Sequence, residues 1–319
     1  MSKGKLEHEL RGALRRRHMS PRTEETYVQW YRRYVLWHGK RHPGEMGVGE
    51  VSQFLTHLAQ NLALGASSQN QALNALVFLY NEVLKQPLEG IDAERAKRTK
   101  RLPVVITQQE TADLLKFVEG DVGLVVKLLY GCGLRVNEAL PLRIKDVDLS
   151  GGKLEVRGGK GDKDRVVTLP KSLMVALTAH KSRVRAVFEK DRAAGIPGVW
   201  LPHALANKYP GASTSWQWFW MFPSSRIYVD GAKGLHGRHH LHEIGIGREI
   251  TRAARLAQIE KRVTAHTLRH SFATHLILRG VDIRSIQGLL GHTDVRTTEI
   301  YTQLAKAIRG EITSPLDDL

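Results

Sequence analysis

The C-terminal third of the chain contains side chains of the types that phosphoryl transfer requires. His266 and Arg269 are three residues apart, which places them on one face of a helix. Gly291, a residue type that ends helices, precedes His292, and Tyr301 follows in what reads as a last helix. The sequence therefore predicts that two helices and a turn bring these side chains to one anion.

Breaking a DNA phosphodiester without a metal ion has three chemical requirements. The attacking group must lose a proton, the negative charge of the transition state must be stabilised, and the leaving oxygen must gain a proton. Arginine meets the second requirement because its planar fork grips two phosphate oxygens, and histidine and lysine meet the other two. Tyrosine, with a reference pKa of ~10, is a plausible nucleophile only where cations surround it.

Two further motifs lie between residues 130 and 170. The segment Gly133–Glu138 reads Gly-Leu-Arg-Val-Asn-Glu and contains Arg135. Segments 154–157 and 165–169 are rich in β-formers and flank a glycine-rich turn, which predicts a β-hairpin with Lys160 near its tip.

The elements that must position these residues form two regions of different pattern. Residues 1–90 read as helices, one beginning at a Ser20 cap with Pro21 as its first residue and another at a Ser67-Ser68 cap. A basic linker is predicted at 91–103. Residues 104–319 mix helix and strand, with a helix at 107–118 behind a Thr107 cap. The predicted fold class is mainly α with a small β-sheet (α+β).

Composition indicates which class of partner the chain binds and in which cellular compartment it works. The 48 Lys and Arg against 32 Asp and Glu leave a net charge of +16, which favours nucleic acid as the partner. No apolar segment is long enough for a membrane span, and the N-terminus has no signal-peptide core. The only cysteine, Cys132, and the absence of metal-binding spacings predict a cytoplasmic protein without metal or other cofactor.

The motifs together resemble the signature of the tyrosine recombinases. The string from Thr264 to Leu276, the string Leu-Leu-Gly-His-Thr-Asp ending at Asp294, and Tyr301 are similar to the C-terminal part of that signature. Gly133–Glu138 resembles its first arginine motif, and Gly159–Gly161 its β-hairpin lysine. The resemblance implies a helical core-binding domain at 1–90 and a catalytic domain at 104–319, which together form a C-shaped DNA clamp.

The resemblance also implies a role for each motif residue. Two arginines would hold the scissile phosphate, two histidines would donate hydrogen bonds or accept the tyrosine proton, the lysine would protonate the leaving 5′-oxygen, and the tyrosine would become joined to the 3′-phosphate. Glu138 would orient Arg135. The six predicted catalytic residues are Arg135, Lys160, His266, Arg269, His292 and Tyr301. His270, His275 and Arg279 are expected to be ordinary surface or core residues.

An aromatic-rich insertion at about 195–242 is similar to the additional region of the integron integrases. Members of that family recombine folded single strands with extrahelical bases, and aromatic side chains suit stacking on such bases. The resemblance selects Trp218, His239 and His240 as base-contacting residues, and packing of the insertion onto the catalytic core is the alternative.

The resemblance implies DNA as partner, a homotetramer in the synapse with a monomer or weak oligomer without DNA, and association with the bacterial nucleoid. Three other classes stay open: a Xer-type or phage recombinase, a type IB topoisomerase, and a non-catalytic DNA-binding protein.

Overall fold

The computed structural model describes residues 3–88, 90, 102–158, 164–201, 203–230, 235–292 and 296–309. The chain divides into two compact units, Met1–Arg101 and Leu102–Leu319. The predicted basic cluster at 95–101, Lys160 at the hairpin tip, and the segment after residue 309 lie outside the described residues. Among the helices that are described, none combines the length and the apolar character that crossing a membrane requires.

The first unit is a bundle of helices. Its elements are α1 (Lys3–Arg16), α2 (Pro21–Trp37), α3 (Val48–Gln60) and α4 (Ala66–Phe78), which continues as a π-helix over Leu79–Leu84. The predicted start of α2 is confirmed, because the Ser20 side chain accepts a hydrogen bond from the Thr23 backbone. The predicted cap at Ser67-Ser68 is wrong. Gly65 has the extended backbone of a cap position and starts α4, so both serines lie in its first turn.

The aromatic stripe of α2 faces the core of this unit. Tyr34 is fully buried, and its hydroxyl lies 3.1 Å from that of Tyr80, which donates to the Pro43 carbonyl at 3.0 Å. These bonds satisfy two phenol groups that burial would otherwise penalise. Leucines of α1 and apolar residues of α3 and α4 complete the core.

The second unit combines nine described helices with two small antiparallel sheets. The three-stranded sheet has the order β1 (Val147–Asp148), β2 (Lys153–Val156), β3 (Arg165–Thr168), and β4 (Pro223–Asp230) pairs with β5 (Leu235–His240). The helices are α5 (Gln108–Lys116), α6 (Gly120–Gly131), α7 (Val136–Ala139), α8 (Met174–Ala193), α9 (His203–Lys208), α10 (Glu243–Leu256), α11 (Ala265–Leu278), α12 (Ile283–Leu290) and α13 (Arg296–Arg309).

Two local predictions in this unit are confirmed. Thr107 caps α5, accepting from the Glu110 backbone at 3.0 Å while the Glu110 carboxylate accepts from the Thr107 backbone at 2.6 Å. Strands β2 and β3 form the predicted hairpin, with Val156 opposite Arg165. The fold class is confirmed as mainly helical with small sheets.

Helix α11 is central to this unit and packs against α6, α12 and α13. Gly133, in the turn after α6, has a φ of +61°, and a Cβ there would lie 2.4 Å from the Phe272 ring of α11. Only glycine permits both this backbone conformation and this close approach. The turn therefore holds Arg135 next to the face of α11 that carries Arg269.

Candidate active site

Arg269 projects from α11 as a buried cation, with 3% of its surface exposed. Its Nη1 donates to the Gly133 carbonyl at 2.6 Å, and its Nη2 donates to the Leu290 carbonyl at 2.5 Å. These bonds join α11 to the turn after α6 and to the end of α12. Burial lowers the pKa of Arg269 to about 10, so the side chain keeps its charge at neutral pH.

The Glu138 carboxylate lies among three guanidinium groups. Arg165 binds it with two hydrogen bonds of 3.0 and 2.6 Å, Arg135 donates from Nη1 at 2.7 Å and from its backbone at 2.9 Å, and Arg269 Nη1 is 3.6 Å away. Burial opposes the carboxylate charge, but the bonds from Arg165 and Arg135 outweigh it and lower the pKa of Glu138 to about 2. The predicted link between Glu138 and Arg135 is present.

The three guanidinium groups carry more positive charge than the single Glu138 carboxylate neutralises. Arg165 is almost fully buried, and its third nitrogen, Nε, donates to the Leu289 carbonyl at 2.8 Å. The Arg135 side chain is 23% exposed. One carboxylate among three guanidinium groups therefore fixes the geometry of the arginines without cancelling their charge, which suits binding of a phosphate.

His292 lies directly after the left-handed Gly291 that ends α12. Its Nε2 is 3.1 Å from Arg269 Nη2, and its Nδ1 is 3.0 Å from the Thr298 hydroxyl. A guanidinium has no acceptor, so the hydrogen bond requires that Nε2 is unprotonated and that the ring proton is on Nδ1. The ring stacks on that of Tyr301, with centroids 6.3 Å apart.

Tyr301, on α13, points into this site and is 2% exposed. Its hydroxyl lies 2.8 Å from Nδ1 of His270 on α11. Burial raises the pKa of Tyr301, while the charges of Arg269 and Arg135 act in the opposite direction. The phenol is therefore protonated at neutral pH and already faces the cations that would favour its ionisation.

The structure brings together five of the six predicted catalytic residues: Arg135, His266, Arg269, His292 and Tyr301. The ring of His266 lies 6.3 Å from that of His270, and its pKa is lowered by partial desolvation and by the charges of Arg269 and Arg135. The sixth residue, Lys160, lies outside the described residues.

The site has a nucleophile, anion-binding arginines and proton-transfer groups. Within the described part of the chain, no three histidine, cysteine or carboxylate side chains lie close enough to hold a metal ion together. The arginines are placed to stabilise the charge of a phosphoryl transfer, the tyrosine to act as nucleophile, and the histidines to take part in proton transfer.

The three predicted base-contacting residues belong to one cluster around Arg143. The Arg143 guanidinium lies 3.7 Å above the Trp220 ring and 5.7 Å from the Trp218 ring. His239 and His240 contact the same Trp220, with centroid distances of 5.6 and 5.0 Å. Burial lowers the pKa of His240 to about 4. The cluster is therefore a set of flat rings joined by one buried cation.

Trp218 and Trp220 differ in how much of each ring is available. Trp220 is buried in the catalytic core and donates from Nε1 to the Arg238 carbonyl at 2.9 Å. Trp218 is half-buried, and the Lys145 ammonium lies 3.1 Å from its ring centre. Core packing thus accounts for Trp220, whereas the Trp218 ring is partly exposed and is contacted by the cationic side chains of Lys145 and Arg143.

The β4–β5 hairpin that carries these histidines is fastened to α8. Arg238 forms two hydrogen bonds of 2.5 and 2.6 Å with Asp191, which is 1% exposed, and a third of 2.6 Å with the Ser224 carbonyl. Removing one partner of such a buried ion pair strongly destabilises the folded protein, because the other charge is left buried and unpaired. The hairpin is therefore held at a defined position on the catalytic unit.

Sequence reasoning did not identify three residues that shape these sites. His270 was expected to have an ordinary role, yet it contacts Tyr301; its i, i+4 spacing from His266 was the available signal. No sequence pattern marks Arg165, because its partner Glu138 lies 27 residues earlier. No sequence pattern marks Arg143 either, because its contacts with the Trp218 and Trp220 rings exist only in the folded chain.

Residues 104–307 match the family described as Phage integrase family, and residues 6–90 match the family described as Phage integrase, N-terminal SAM-like domain. An Integrase/recombinase of Escherichia coli is 46% identical over 316 residues, which cover 99% of this chain and 94% of the relative. Tyrosine recombinase XerA of Thermococcus kodakarensis is 35% identical over 295 residues, 89% of this chain and 86% of that protein.

Two solved structures share the fold. The XerH site-specific recombinase bound to palindromic difH substrate has a TM-score of 0.60 at 22% identity, covering 96% of this chain and 83% of that one. The Tn1549 transposon integrase in complex with transposon right end DNA has a TM-score of 0.62 at 14% identity, covering 97% and 99%.

Proposed function

The chain belongs to the phage integrase family of tyrosine site-specific recombinases, and from this premise we propose that it is an integron integrase. In this proposal it integrates and excises gene cassettes at attI-type and attC-type sites, including folded single-stranded hairpins. The observation that carries the cleavage chemistry is the Tyr301 hydroxyl in a buried site beside Arg269 and His292.

Strand cleavage follows from the side chains at this site. The scissile phosphate binds between Arg135 and Arg269, whose charges stabilise the transition state. The Tyr301 oxygen forms a bond to phosphorus, the bond from phosphorus to the 5′-oxygen breaks, and Lys160 protonates that oxygen. His266 and His292 donate hydrogen bonds to the phosphate or take up the tyrosine proton; the unprotonated Nε2 of His292 is compatible with the second role.

The product is a 3′-phosphotyrosine on Tyr301. One phosphoester bond forms for the one that breaks, so the number of phosphoester bonds is unchanged. Attack by a 5′-hydroxyl of the partner strand reverses the reaction. Rejoining therefore needs no nucleotide, and the arginines take the place of a metal ion.

The integron assignment rests on the cluster around Arg143. Trp218 offers a flat, electron-rich face on which the Lys145 ammonium now lies. A base stacked there would displace that ammonium toward a phosphate. Binding of the base would then form both a stacking contact with Trp218 and an ion pair between Lys145 and DNA. His239 and His240 belong to the same cluster through their contacts with Trp220.

We further propose that DNA is the partner, that the chain acts as a homotetramer in the synapse and as a monomer or weak oligomer without DNA, and that it works in the bacterial cytoplasm at the nucleoid. The net charge of +16 supports the first of these. A Xer-type or phage recombinase is the second candidate, supported by the identity to XerA.

The cleavage proposal is tested with a cassette-end hairpin that carries a nick next to the cleavage point, so that covalent protein–DNA complex accumulates. The wild-type chain should become joined to DNA, whereas Tyr301→Phe should bind the same hairpin without forming the adduct. A normal adduct yield from Tyr301→Phe would remove this residue from the role of nucleophile. No adduct from the wild type would favour a non-catalytic DNA-binding protein.

The substrate class is tested by comparing two hairpins, with and without a protruding base. Trp218→Ala should lose roughly five- to hundredfold in affinity, about 1 to 3 kcal/mol, only for the hairpin with the base. Trp216→Ala is the matched control, because Trp216 lies in the same short helix and packs on Phe188. Equal losses on both hairpins, with a lower melting temperature, would assign Trp218 to packing and favour a recombinase of another substrate class.

A further inference from the structure

The contact between His270 and Tyr301 has no part in the roles described above. The two residues come from α11 and α13, and Nδ1 of His270 is 2.8 Å from the oxygen that would attack phosphorus. The rings are 5.5 Å apart and inclined at 45°. An acceptor at this distance from a nucleophilic hydroxyl is placed as a general base should be.

We propose that His270, rather than His266 or His292, holds the Tyr301 hydroxyl for attack and receives its proton during strand cleavage. This inference rests on the proposed recombinase function and assigns a further catalytic residue to it. In the DNA-free state the phenol donates to Nδ1, and the ring proton is on Nε2. As the Tyr301 oxygen bonds to phosphorus, its proton passes to Nδ1, and the 5′-oxygen leaves with a proton from Lys160. In rejoining, the departing tyrosine oxygen takes the proton back from His270.

The surroundings keep His270 neutral until substrate arrives. Burial lowers its pKa to about 4, and the nearby His266 and Arg269 on α11 act in the same direction. On α13, the residue that faces His270 is the uncharged Tyr301. The positive charge of Arg135 lowers the pKa of both Tyr301 and His266. At neutral pH the imidazole is therefore uncharged, with its one proton on Nε2, and Nδ1 is able to accept a second.

A bound phosphate changes this balance in the required direction. Its negative charge beside Arg269 offsets the repulsion that this arginine exerts on an imidazolium at His270. The pKa of His270 then rises, so that the histidine becomes a stronger base when a phosphate is present to be attacked. Proton uptake is thereby coupled to substrate binding, and without DNA the tyrosine stays protonated and hydrogen-bonded.

A second tyrosine–histidine pair on the same helix provides a matched control. His275 Nδ1 lies 2.9 Å from the Tyr130 hydroxyl, with rings 5.9 Å apart. Both histidines are lowered in pKa chiefly by burial. Tyr130 is not part of the site around Arg269, so losing this pair should disturb packing without touching the nucleophile.

The test is single-turnover cleavage of the nicked cassette-end hairpin by wild type, His270→Asn and His275→Asn. Asparagine retains an acceptor oxygen near the Nδ1 position but cannot take up a proton. We expect His270→Asn to cut roughly 10²- to 10⁴-fold more slowly, with a rate that rises tenfold per pH unit because the tyrosine must ionise unaided. DNA affinity should be unchanged, and His275→Asn should cut at close to the wild-type rate.

Two further measurements separate chemistry from packing. A hairpin with a sulfur in place of the scissile 5′-oxygen has a leaving group that needs no proton, so it should rescue Lys160→Ala but not His270→Asn. Added imidazole should restore part of the activity of His270→Ala, which leaves space for it. Wild-type rates and pH dependence in His270→Asn, or rescue by the sulfur substrate, would overturn the role. If the wild type forms no adduct, it is instead the recombinase proposal that fails.

Discussion

Replacing Glu138 with glutamine removes the one negative charge among Arg135, Arg165 and Arg269 while keeping the shape of the side chain. The carboxylate accepts four hydrogen bonds from Arg135 and Arg165 and lies 3.6 Å from Arg269. Without that charge, three guanidinium groups repel one another in a buried place. We expect both lower stability and weaker alignment of Arg135 for phosphate binding.

The size of the stability loss follows from the pKa. Folding lowers the pKa of Glu138 from 4.5 to about 2, and at about 1.4 kcal/mol for each pKa unit this amounts to roughly 3 kcal/mol. Because the folded value is the lower one, the stabilisation is complete above pH 4.5 and is lost as the pH falls toward 2. At neutral pH, Glu138→Gln should lower the melting temperature of a catalytic unit of this size by roughly 6 to 12 °C.

Differential scanning calorimetry of wild type and Glu138→Gln at several pH values from 7 to 3 tests this reasoning. The gap in melting temperature should be widest near neutrality and should narrow below pH 4.5. Glu155→Gln is the matched control, since Glu155 is exposed and pairs with Arg157, and such pairs contribute at most about 1 kcal/mol. No gap at pH 7, or a gap of the same size at every pH, would refute the electrostatic account.

Three other outcomes are expected. The affinity for DNA should fall by about 0.7 to 0.9 log units per phosphate contact for each tenfold rise in salt, and a salt-independent affinity in a titration would point to another partner. Strand cleavage should persist in EDTA without nucleotide, because the arginines supply the charge of a metal; cleavage that depends fully on added magnesium would contradict this. In a denaturation experiment, Arg238→Gln should lower the free energy of unfolding by about 3 to 5 kcal/mol, because it leaves the buried Asp191 carboxylate unpaired. The control Arg185→Gln should lower it by less than about 1 kcal/mol, because its partner Glu189 is exposed.

Much of the architecture was predictable because local chemistry decides it. The Ser20 and Thr107 caps and the β2–β3 hairpin depend on residues a few positions apart, so the sequence alone identifies them. The start of α4 was misplaced because two serines and a neighbouring glycine compete for one cap, and only the backbone conformation of Gly65 resolves that competition.

The sequence by itself determined the family of the chain and the motif residues, since their types, order and spacing are properties of a linear string. The tertiary structure alone decided which groups those residues touch. His270 reaches Tyr301 because α13 folds back onto α11, and Arg165 reaches Glu138 because β3 lies beside the turn after α6. Hydrogen bonds and pKa values depend on distance in space, and no pattern along the chain encodes a contact between residues that are far apart in sequence.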